Sequence, residues 1–155
     1  MSSRLFQEAR ERLGLAYAID AYAESYADAG AIGVYAGTAA GDAARTAQVA
    51  AVEIRKLAER IDEAELSRCK AQLKASLFMA RESPLARAEQ SAGQTLLFDH
   101  LFLTHEIAAA VDAVEAADIR RFAERLLGQG RLASAVLGPK SALNAGPAFQ
   151  KALFG

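Results

Sequence analysis

The chain has 155 residues, enough for one domain that buries roughly two-thirds of the surface its unfolded form exposes. Its formal net charge is −1 with no face-sized basic cluster, which excludes an electrostatic grip on nucleic acid or an anionic membrane. Cys69 is the single cysteine, so no internal disulfide forms, and no apolar run is long enough to cross a bilayer.

Abundant alanine and three prolines favour helix. Ser2 or Ser3 can cap a first helix in which Leu5, Phe6, Ala9 and Leu13 recur at helical spacing and which Gly14 ends. From Ala16 to Tyr26 the period changes to two. Tyr17, Ile19, Ala21 and Ala23 should face one way, Asp20, Tyr22, Glu24 and Tyr26 the other. Asp28-Ala29-Gly30 is a turn, and a second strand from Ala31 to about Gly37 completes an antiparallel hairpin.

After a loop, Asp42 caps a long helix with the stripe Ala50, Ile54, Leu57 and Ile61. Asp62-Glu63-Ala64-Glu65 opens the next helix, with Leu66, Cys69, Leu73 and Leu77 inward and Arg68, Lys70 and Lys74 on a solvated face. Ser83-Pro84 breaks it and starts another helix, from Leu85 to about Asp99. Shorter helices follow from about Thr104 and from Val114 to Gly128. Leu132–Leu137 reads as a third strand closed by Gly138-Pro139, and the tail from residue 140 to 155 as loop and short helix. The sum is an α+β domain over residues 1–139: an antiparallel sheet of about three strands with helices on one face.

The run MSSRLFQEARERLGLAY is more specific than any of these patterns. Together with Tyr26-Ala27-Asp28, Tyr35-Ala36-Gly37-Thr38, Lys70-Ala71-Gln72-Leu73-Lys74 and Val136-Leu137-Gly138-Pro139, it resembles the carboxy-terminal half-domain of the pitrilysin and mitochondrial-processing-peptidase family. That family consists of zinc metallopeptidases, the inverted zincins, in which two homologous halves close like a clamshell. The resemblance implies that zinc sits in the amino-terminal half, on a His-x-x-Glu-His helix. It also implies that Arg10 and Tyr17 are the arginine and tyrosine this half supplies to the chamber. A guanidinium and a phenol can both donate to the oxyanion of peptide hydrolysis.

Taken alone, Tyr17 reads as an ordinary strand aromatic and Arg10 as a solvated helix arginine beside Glu8 and Glu11. His100 and His105, five residues apart, do not form the zinc motif, so no metal or other cofactor is expected in this chain. Cys69, on an apolar stripe, is expected to be buried and inert. Gly30, Gly33, Gly37 and Gly41 are turn and packing glycines rather than a dinucleotide loop.

Family chains carry strands before the motif with which this sequence opens. The chain is therefore expected to begin inside its domain and to leave a sheet edge for another chain. Its expected partners are a zinc-bearing half or homologous subunit, a peptide substrate and, in isolation, a second copy. The expected function is that of a metal-free portion of a zinc endopeptidase, inactive alone. The alternative is a non-catalytic structural or substrate-holding subunit. The opening residues lack a secretory h-region, which favours the cytoplasm unless targeting information lies upstream.

Overall fold

The computed structural model describes residues 3–155. They form two compact units: residues up to Arg60 with Arg121–Gly155, and Ile61–Arg120. Each is described by itself.

The first unit opens with the expected helix, but wound differently. Phe6–Arg12 is a π-helix, and the Leu13 amide donates to the Glu8 carbonyl five residues back at 3.1 Å. The Ser3 hydroxyl accepts from the Phe6 amide at 3.3 Å; Ser2, the other expected cap, lies outside the described residues. Ala9 is fully buried, and Gly14 ends the helix at φ 61°, a conformation that costs a side-chain-bearing residue about 1 kcal/mol or more.

Strands β1 (Ala16–Ser25) and β2 (Gly30–Thr38) pair antiparallel, with the Tyr26 amide donating to the Ala29 carbonyl at 2.8 Å across the turn. Ile19 pairs with Ala36, Ala21 with Val34 and Tyr22 with Gly33. Ile19, at 2% exposure, carries the core face. It clusters with Leu5, Ala9, Ala16 and Ala50, flanked by Val34, Val49 and Phe149. The small residues bring helix and sheet backbones close together.

Helix α1 (Ala43–Glu59) buries Ala43, Thr46, Ala50, Ala51 and Glu53, while Ile54 and Leu57 of the expected stripe are half-buried. The carboxylate of Asp42 makes no capping bond; its carbonyl accepts from the Thr46 amide at 2.8 Å. Thr46 is 1% exposed. Its hydroxyl lies 3.1 Å from that of Thr38 and 3.0 Å from the Asp42 carbonyl, while Thr38 donates to the Leu15 carbonyl. This chain of hydroxyls joins the start of β1, the end of β2 and the first turn of α1. Glu53, nearly buried, pairs with Lys56 at 2.6 Å.

In the same unit, a 3₁₀ turn at Lys140–Ala142 precedes a helix, Ala145–Phe154, that packs along α1 and buries Leu153. The segment 132–137 does not pair with the hairpin, and the described residues form a two-stranded sheet. Ser134 and Val136 instead lie against Gly146 at the start of that helix, where a Cβ would meet Ser134 Oγ at 2.7 Å. The segment reads as a third strand from sequence; a strand also needs a neighbouring edge to pair with, and this segment lies against a helix start instead.

The second unit is helical. Helix α2 spans Glu63–Ala80, α3 spans Pro84–Phe98 and α4 spans Thr104–Ala113; α5 (Ala116–Gly128) begins here. Asp62 accepts from the Ala64 amide at 3.1 Å and Ser83 from the Ala86 amide at 3.3 Å, so both starts read from sequence carry a side-chain cap. The carboxylate of Glu106 accepts from the Leu103 amide at 2.7 Å, and that of Asp118 from the Glu115 amide at 2.8 Å. On α2 the covered stripe keeps half of the expected apolar residues, with Leu77 half-buried. Leu66 is buried, but Cys69 and Leu73 are exposed. Lys70 donates to the Asp112 carbonyl at 2.8 Å and Lys74 to its carboxylate at 2.6 Å, so these two lysines, expected on a solvated face, meet α4. Helix α3 has no buried residue, and Leu96 is 85% exposed.

Thr46→Val keeps the shape of the side chain and removes its hydroxyl. It should cost about 1–2 kcal/mol, seen as a lower midpoint in urea with an unchanged slope.

Candidate functional site

Arg10 lies on the π-helix and Tyr17 on β1, with the turn at Gly14 between them. The guanidinium of Arg10 sits 4.8 Å from the centre of the Phe6 ring and 3.9 Å from a carboxylate oxygen of Glu11, with its side chain about half exposed (46%). Neighbouring Arg12 takes the stronger ion pair, its Nε donating to Glu8 at 2.7 Å. That bond holds the Glu8 carboxyl below the usual carboxylate range. The pair thus leaves Arg10 outside the helix's main salt bridge. Because the carboxyl is shifted down, its contribution exists above the ordinary carboxylate range and fades as pH falls through the lowered value. In Arg12→Ala the Glu8 titration midpoint should rise towards that of a free glutamate, measured by carboxyl NMR.

Tyr17 departs from simple alternation. Ala16 pairs with Thr38 and Ala18 with Gly37, so β1 carries one extra residue, Tyr17, in a β-bulge. Ala16 and Ile19 both stay buried across the irregularity, and Tyr17, expected beside Ile19, turns to the opposite face at 70% exposure. There its ring rests on Gly37. A Cβ at that glycine would lie 2.5–2.8 Å from three atoms of the distal ring, and Gly37 is buried although it faces outwards. Tyr22 rests on Gly33 in the same way. These two glycines are seats for aromatic rings, a role that reading them only as turn and packing residues misses. The signal was present in the spacing: the tyrosines are five residues apart and the glycines four, which requires one extra residue in β1.

Among the described residues no hydrogen bond or ion pair joins Arg10 to Tyr17. Each is held by its own support, and both side chains remain about half exposed or more. The metal-ligating residue types do not converge: among the described residues no group of three or more His, Cys, Asp and Glu side chains could hold a metal ion. His100 packs edge-on against Phe102 at 4.8 Å, and Cys69 is exposed on α2. Metal analysis of the purified chain tests the expectation that it holds no stoichiometric zinc. No helix among the described residues is long and apolar enough to cross a membrane.

Comparison with known proteins agrees with the motif. Residues 1–73 match the family described as "Peptidase M16 inactive domain". A protein named an uncharacterized zinc protease, from Rickettsia bellii, is 36% identical over 141 residues, covering 91% of this chain and 34% of its own length. The probable mitochondrial-processing peptidase subunit beta of Arabidopsis thaliana is 31% identical over 125 residues, covering 81% of this chain and 24% of its own length. Among solved structures, a chain of Complex III2 from Candida albicans, Inz-5 bound, superposes with a TM-score of 0.73 at 25% identity, over 81% of this chain and 30% of that one. The chain belongs to the pitrilysin and mitochondrial-processing-peptidase family, and its first 73 residues match the domain of that family described as inactive. It spans about a third of the length of the first curated relatives it matches.

Replacing the Tyr17 seat should separate stability from position. In Gly37→Ala the new methyl displaces the end of an exposed ring rather than core atoms. Unfolding free energy should change by less than about 1 kcal/mol, while the Tyr17 ring protons shift in the NMR spectrum.

Proposed function

We propose that this chain is the metal-free part of a zinc-dependent endopeptidase and supplies Arg10 and Tyr17 to a chamber closed by a zinc-bearing half. The observation that carries this reading is the support given to Tyr17. A bulge turns it outwards, a buried glycine seats its ring, and its phenol remains accessible. An ordinary core tyrosine needs none of these.

Both side chains are hydrogen-bond donors, and Arg10 adds a positive charge. Peptide cleavage builds negative charge on the carbonyl oxygen, and a donor aimed at that charge is worth about 3 kcal/mol in other enzymes. Tyr17 and Arg10 hold the substrate carbonyl and stabilise that charge, whereas the metal-activated water comes from the other half. Residues 1–139 constitute the half-domain portion and 140–155 its tail. The isolated chain is inactive as a peptidase. Exposed Leu85, Leu96 and Phe98 on α3 favour association, with the zinc-bearing half in the complete enzyme and as a homodimer when the chain is alone.

Mixing the chain with a zinc-bearing half should restore peptide hydrolysis. Tyr17→Phe and Arg10→Ala should each then lower kcat/KM by about a hundredfold, corresponding to the loss of one such donor. Wild-type rates in both variants would exclude the catalytic role. They would favour the second reading, a non-catalytic subunit, which draws on the family description "inactive domain" and on the likeness to a chain of Complex III2.

A further inference from the structure

We propose that the cavity where the end of α2, the middle of α3 and the start of α4 meet binds a small aromatic monocarboxylate, a ring-sized apolar body with one acidic group. The inference is independent of the peptidase reading, since it uses neither Arg10 nor Tyr17. The residues that line the cavity also lie beyond the stretch 1–73 that matches the family.

Size and lining give the first observation. The cavity measures about 450 Å³, within the range of small-molecule sites. At the volume of a liquid water for each group, it holds about fifteen non-hydrogen atoms. That suits a fused ring with a short acidic arm. Phe78 from α2 and Leu101, Phe102 and Leu103 from the loop before α4 line it, with exposures between 41% and 57%. An apolar body entering this concave surface removes their apolar area from water. The two phenylalanine rings favour an aromatic body, because rings pair edge-to-face or offset.

The wall is built by contacts inside the helical unit. The Gln94 side-chain carbonyl accepts from the Phe102 amide at 3.1 Å, and the Glu106 carboxylate accepts from the Leu103 amide at 2.7 Å. The Phe102 ring stands edge-on to Phe98 at 5.6 Å and to His100 at 4.8 Å. A loop tied at these points needs little further ordering when a ligand enters, which favours affinity.

Charge selects the acidic group. Arg81, at the end of α2, and His105, in the first turn of α4, both line the cavity, and no Asp or Glu does so among the described residues. Neither Arg81 nor His105 forms an ion pair with a described residue. Glu106, beside His105 in sequence, turns its carboxylate to the Leu103 amide. A guanidinium bonds a carboxylate through two parallel N–H groups, so Arg81 fits an acid and repels an amine. Gln90 and Ser91 add neutral hydrogen-bonding groups to the same lining.

The chain contains no tryptophan, so an indole probe can be excited apart from the protein's tyrosines. The test is fluorescence anisotropy of indole-3-propionate titrated with the whole chain. Indole-3-propanol, which has the same ring and no charge, is the control. The acid should bind about fivefold tighter than the alcohol, the gain of one partly exposed ion pair. Arg81→Gln should abolish that preference, and Phe78→Ala should weaken both probes about tenfold. Both positions are exposed, and circular dichroism checks that each variant is folded. In the proton NMR spectrum the His105 ring signals should shift as the acid is added. Equal binding of acid and alcohol, no saturable binding of the acid, unmoved His105 signals, or a preference that survives Arg81→Gln would overturn the proposal. So would a dimer that Phe78→Ala dissolves and the acid does not, because the cavity would then be covered by a second copy.

Discussion

The sheet-bearing unit depends on the point where the Leu15 carbonyl, Thr38 and Thr46 meet. β1 begins there, β2 ends there, and α1 takes its first turn there. A carbonyl on the buried residue just before a strand needs a partner, and the Thr38 hydroxyl provides it. Thr46 in turn bonds to that hydroxyl from the helix side. With the three elements fixed at this point, the extra residue in β1 has only one place to go. Ala16 and Ile19 both stay in the core, and Tyr17 is pushed to the other face.

That displacement links packing to the proposed chemistry. The same junction that completes the core also sets the direction of the one tyrosine the family motif singles out. Gly37 then fixes the ring, since only a residue without a Cβ leaves room for it. On the preceding helix, the π-winding and the Glu8–Arg12 pair leave Arg10 turned outwards over Phe6. Two donors separated by seven residues thus reach solvent through separate local devices.

The two units are held by different kinds of interaction. The first buries small side chains, mainly alanines, around Ile19 and Leu5. The second has capped helices and a lysine–aspartate link but few buried apolar groups. Apolar area left in water contributes nothing to folding, and α3 leaves most of its apolar residues exposed.

The sequence by itself determined the family, the α+β class, the hairpin and the starts of the later helices. These rest on local rules: period, capping side chains, proline at a helix start and a glycine that accepts φ 61°. The tertiary structure decided the rest. It wound the first helix as π, bulged β1 at Tyr17, exposed Cys69 and left 132–137 beside a helix instead of in the sheet. Each of these outcomes depends on what lies across from the residue. Periodicity fixes which side chains share a face of an element, but only the opposing surface decides whether that face is covered.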